Sequence, residues 1–232
     1  AQARTALQQA SIPVLMMNRL ETVYDRGHPD ALRLDLRAGL GSEEIFRRAS
    51  GTPLSEPLPA LYTRAGFREI TGGVGGEMVS GFLRESWVLG EGVLPDGPTA
   101  RFELASDFVR HYEDAYIEFW DGVLEDLEIA PLLDVDQATD FLATLSGPSS
   151  PLVQLITTID RQTHFPEPDS AAGEGTERAA EAAGGRTSTL FDLAGEAAGE
   201  LSGPRPGARI SEHYQPLHRL VDDGSGAAPL DR

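Results

Sequence analysis

One stretch constrains the fold more than any other. Between Thr99 and Glu128 the residues Phe102, Ala105, Phe108, Val109, Tyr112, Ala115, Tyr116, Phe119, Trp120, Val123, Leu124 and Leu127 recur every three or four positions. Only a helix gathers residues at that spacing on one face, so the segment predicts one long amphipathic helix whose aromatic stripe must be covered. The remaining face carries Glu103, Asp107, Glu113, Asp114, Glu118, Asp121, Glu125 and Asp126 against little more than Arg101 and Arg110. Pro131 stands just beyond, and the residue before a proline avoids helical backbone, so the helix is expected to stop before it.

The rest of the chain reads as further helices. Thr5 to Tyr24 carries Leu7, Ile12, Leu15, Met16, Leu20 and Val23 at helical spacing, with Pro13 as a break or kink. Asp30 to Leu40 and Ser42 to Ala49 predict two shorter helices, with Ser42 as the N-cap of the second. Prolines 53, 57 and 59 make 51–59 an extended loop. Thr63 caps a helix that the glycines of 72–76 separate from the apolar set Met78, Val79, Phe82, Leu83, Trp87, Val88 and Leu89. Asp134 to Leu145 is a helix ended by Gly147-Pro148, and Ser150-Pro151 supplies an N-cap and an N1 proline for Leu152 to Thr163.

The expected fold class is therefore all-α, a multi-helix bundle. Residues 1–165 form its helical domain. Residues 166–209, rich in Gly, Ala and Pro with few large apolar side chains, form a flexible or variable insertion, because such a segment cannot offset its ordering entropy by burial. Residues 210–232 form a terminal helix over Ile210 to Val221 and a frayed tail.

Composition works mainly by exclusion. With 19 Lys+Arg against 37 Asp+Glu the formal net charge is −18, which argues against a nucleic-acid partner or a polybasic membrane-surface role. The chain has no Cys, so disulfides, thiolate metal sites and a Cys nucleophile are excluded. No apolar run reaches the roughly 18 residues a spanning helix needs. The chain begins at Ala1 without Met or a signal-like stretch, as expected of a processed or excised piece of a longer protein.

Reaction chemistry is hard to place. The 72–76 glycines are not followed by Gly-Lys-Ser/Thr and fit no dinucleotide register, so they read as a helix break. The five histidines, His28, His111, His164, His213 and His218, show no close ligand spacing, and His111 with Asp114 is one i, i+3 pair on an acidic helix. No cofactor, metal or catalytic set is assigned. Two uses of the acidic helix are weighed: Glu113, Asp114, Glu118, Asp121 and Glu125 as a surface that favours a basic partner, and Glu113, Glu118 and Asp121 beside Tyr116 and Trp120 as acid and base of a carboxylate-dependent hydrolase of cell-wall glycan.

Three strings go further. Leu61-Tyr62-Thr63-Arg64-Ala65-Gly66-Phe67, then Trp87-Val88-Leu89-Gly90, then Tyr112 through Trp120 followed by Leu145-Ser146 and Ser149-Ser150-Pro151-Leu152 resemble, in order and spacing, the periplasmic part of the IcmF/TssM family. That family is the large inner-membrane subunit of type VI secretion systems, and the resemblance covers about residues 58–165. It implies a non-enzymatic helical scaffold in the periplasm, self-associating and joining a TssL-like inner-membrane protein to a TssJ-like outer-membrane lipoprotein. In the family the transmembrane helices and the NTPase-like domain lie N-terminal to this region, and a β-rich domain associated with lipoprotein contact lies C-terminal to it.

Overall fold

Proline and glycine set several of the helix boundaries. In a computed structural model the described residues are 12–24, 31–39, 41–74, 81, 98–132, 135–147, 150–165 and 205–224. Helix α1 spans Ile12–Tyr24, with Pro13 at its described start; the expected break at that proline, following residues 5–11, lies outside the described residues. Helices α2 (Leu34–Ala38) and α3 (Ser42–Ile45) are short. Gly41, with φ of 80°, precedes α3, so Ser42 is its first helical residue and not its cap.

The predicted helix over Ser42 to Ala49 ends early. After Ile45 the chain becomes strand β1 (Phe46–Arg48), and a 3₁₀ turn follows at Ala60–Tyr62. Helix α4 (Arg64–Glu69) passes into a wider π-type turn at Ile70–Val74, where Gly72 leaves helical backbone at φ −81° and ψ −133°. The glycine break is thus real; the apolar set Met78 to Leu89 lies outside the described residues. Helix α5 (Pro98–Asp126) is the long amphipathic helix. It stops ahead of Pro131 because Leu127–Ile129 forms strand β2, antiparallel to β1 with Phe46 opposite Ile129, Arg47 opposite Glu128 and Arg48 opposite Leu127.

Helices α6 (Val135–Leu145) and α7 (Pro151–Thr163) follow, the latter with Ser150 at the N-cap position and Pro151 at N1. The terminal helix is two: α8 (Ala208–His213) and α9 (Gln215–Gly224). Pro216 has no N–H for the bond to residue 212 that a continuous helix requires, so the chain restarts there. The fold is helical, with one two-stranded sheet among the described residues.

Contacts divide the chain into two units. The first is Ala1–Arg26, Ala65–Asp114 and Phe165–Ala208. Its core holds Met16, Leu20, Phe67, Ile70, Leu104, Phe108 and Tyr112. Phe67 stacks on Tyr112 with centroids 5.2 Å apart and meets Phe165 at 4.6 Å, while Phe108 lies 6.5 Å from Tyr112. Tyr24 closes the edge of this unit by donating its hydroxyl to Glu69 at 2.6 Å.

The second unit is Gly27–Arg64, Ala115–His164 and Arg209–Arg232. Helix α7 is its centre: α2 and α9 both pack on it, and Leu155 and Ile159 are buried. Leu34, Leu58, Leu61, Tyr116, Trp120, Val123 and Ile210 complete the core. The sheet is part of this unit and is tied at its corner by Asp126, which accepts from the Ser50 amide at 2.7 Å, the Ser50 hydroxyl at 2.8 Å and Arg48 Nε at 2.5 Å. Those donors, the Ser50 amide first, hold the Asp126 carboxyl below its ordinary pKa.

Candidate functional site

The aromatic stripe of α5 carries the residue types most often used for recognition, and Tyr112, Tyr116 and Trp120 at i, i+4 and i+8 are all completely buried. In the second unit each polar atom of the stripe has a main-chain acceptor. The Tyr116 hydroxyl donates to the Gln162 carbonyl at 2.8 Å, and the Trp120 indole N–H donates to the Tyr62 carbonyl at 2.8 Å. The Tyr62 ring lies flat on Phe119, centroids 4.4 Å apart, and meets Tyr116 edge-on at 6.2 Å. Burial pushes the Tyr116 hydroxyl far above the phenol range, so it stays a neutral donor. These aromatics are core.

The acidic residues of the same helix meet unlike surroundings. Glu113 was expected on the solvated face; it is 4% exposed, in the first unit, and its Oε1 accepts the Gly207 amide at 2.6 Å. Gly207 has φ of 84° and a Cβ there would stand 2.6 Å from Cγ of Phe165, so the position requires glycine, and its N–H is what the carboxylate satisfies. Asp114, Glu118 and Glu125 are exposed, as a polar face demands. Asp121 is half-buried and engaged: the Tyr214 hydroxyl donates to its Oδ1 at 2.7 Å and His213 Nε2 lies 3.0 Å from its Oδ2. Burial, and then Asp121, raises the Tyr214 hydroxyl above its ordinary range.

The acid and base weighed for a glycan hydrolase are therefore a buried carboxylate on a backbone amide, an exposed side chain and a carboxylate held by Tyr214 and His213. An open groove of about 650 Å³ in the second unit is lined elsewhere, by residues including Phe46, Arg47, Arg48, Leu54 and Glu128, and none of the three belongs to it. Arg47 and Glu128, opposite one another in the sheet, pair across it at 3.0 Å.

One cluster was missed from sequence. Asp160 and His164, four apart at the C-terminal end of α7, and His218 of α9 bring one ligand atom each to within 4.8 Å of one another. His218 Nδ1 lies 2.7 Å from Asp160 Oδ1, His164 Nδ1 lies 3.8 Å from the same oxygen, and the two imidazoles stack with centroids 4.6 Å apart. The i, i+4 spacing of Asp160 and His164 was the available signal. Its third member comes from beyond residues 166–204, and no local pattern links the two. His213, weighed with His218, sits at the end of α8 on another carboxylate, and His111 is half-buried on α5.

Comparisons with known proteins define a secretion-associated class. The IcmF-related family, described as intracellular multiplication and human macrophage-killing, matches residues 1–164. The chain belongs to that family. It is also 32% identical, over 98% of its own length, to a protein of Pseudomonas aeruginosa named type VI secretion system component TssM1. The chain spans 21% of that relative's length. No solved structure matches it.

Proposed function

We propose that this chain is a scaffold segment of a type VI secretion membrane complex, lying on the periplasmic side and helping to connect inner-membrane subunits to an outer-membrane lipoprotein. The observation that carries this reading is the likeness to a TssM1 protein along nearly the whole chain. The burial of Tyr112, Tyr116 and Trp120 supports it, because the aromatic side chains serve packing and no substrate cleft is built from them. Among the described residues no helix is long and apolar enough to cross a membrane.

Its docking surface in the second unit is the exposed acidic side of α5, with Glu118 and Glu125 and the half-buried Asp121; Asp114 lies on the same helix within the first unit. A protein of net charge −18 attracts a basic partner surface through salt-screened forces. The test is capture of TssL-like and TssJ-like subunits by the full-length protein across a salt series. Association that weakens as salt rises, and that is further weakened by Glu118→Lys with Glu125→Lys, supports the reading. Association indifferent to both overturns the acidic surface, and absence of any association overturns the scaffold.

A further inference from the structure

We infer that Asp160, His164 and His218 form a binding site for a first-row divalent transition metal ion of the zinc class. Two imidazoles and one carboxylate are a ligand set such ions take, with room for water at a fourth position. The three ligand atoms already converge within 4.8 Å from two helices that pack on each other, so little chain movement is needed to close the shell. The two α7 ligands occupy the last turn and the C-cap of a 13-residue helix, whose negative dipole end favours positive charge.

His218 is 6% exposed, and its Nδ1, 2.7 Å from Asp160 Oδ1, is the ring nitrogen turned toward the carboxylate. His164 supplies access, since its side chain is 39% exposed beside the 14% of Asp160. Ion binding requires both imidazoles neutral, the state in which they stack without like-charge repulsion. The rings must splay from their 27° stack to share one ion, and the Asp160–His218 hydrogen bond gives way to metal–ligand bonds.

The experiment titrates the chelator-treated full chain with zinc chloride by calorimetry, and with cobalt chloride to read tetrahedral absorption bands. The expected result is one strong site per chain that excess magnesium does not displace. His218→Ala and Asp160→Asn should each weaken it by about tenfold or more. His164→Ala, at the more exposed ligand, serves as the variant whose folding is least disturbed, with circular dichroism as the check. Asp121→Asn is the control for adventitious ions, because it removes a histidine-paired carboxylate outside the cluster. Zinc affinity unchanged in His164→Ala and His218→Ala, equal loss in Asp121→Asn, or displacement by magnesium overturns the assignment and leaves the cluster as a hydrogen-bonded His–Asp pair.

Discussion

The two units use the same long helix differently. In the first, rings pack on rings: Phe67 stacks on Tyr112 and meets Phe165, and Phe108 lies beside Tyr112. In the second, Tyr116 and Trp120 are also bonded to the main chain of other segments, at Gln162 and Tyr62. Ring packing tolerates volume-conserving change, whereas a directional bond to a buried carbonyl fixes one side chain in one pose. The first unit carries a polar constraint of its own in the Glu113 to Gly207 contact.

The largest effect expected from this contrast is at Trp120. Trp120→Ala opens a cavity and strands the Tyr62 carbonyl, and should cost about 3–5 kcal/mol in denaturant unfolding. Phe108→Leu, in the ring-packed region, keeps most of its volume and should cost less than about 1.5 kcal/mol. A larger loss from Phe108→Leu than from Trp120→Ala would break the comparison. Next is Gly207→Ala, which sets a Cβ against Phe165 and places Ala at positive φ; the expected cost is about 1–3 kcal/mol.

Smaller again is Tyr116→Phe, which keeps the ring and removes one hydrogen bond. About 1 kcal/mol is expected in thermal or chemical unfolding, and no change would show that the bond to Gln162 carries no weight. The smallest effect is conditional on pH. Because the Asp126 carboxyl is held below its ordinary pKa in the folded state, its contribution is complete above the unfolded carboxylate's pKa. That contribution is lost as pH falls through the depressed native value. Asp126→Asn should therefore flatten the acid side of the stability profile while leaving its dependence near neutrality alone; an unaltered acid limb would remove Asp126 from the account.

Helical periodicity made α1, α5, α6 and α7 readable because each is long enough to repeat its pattern, and the proline and glycine signals placed several of their ends. The sheet was not readable. Three residues per strand, Phe46–Arg48 and Leu127–Ile129, are too few for alternation to show, and the pairing partners lie far apart in sequence. The split between α8 and α9 was signalled by Pro216 and overlooked in favour of a continuous apolar pattern. Glu113 looked like every other carboxylate of its helix, since burial against a glycine amide from a distant segment leaves no local trace. The Asp160–His164–His218 cluster was half visible for the same reason.

The turns of α5 from Tyr112 to Val123 hold the fold together through buried aromatic side chains. Native-state hydrogen exchange on the full-length protein tests it most directly. Amides in this segment should exchange only through global unfolding, and Trp120→Ala should lower their protection by the same free energy it removes from overall stability. Fast exchange there in the unmodified protein, or protection untouched by Trp120→Ala, would contradict it.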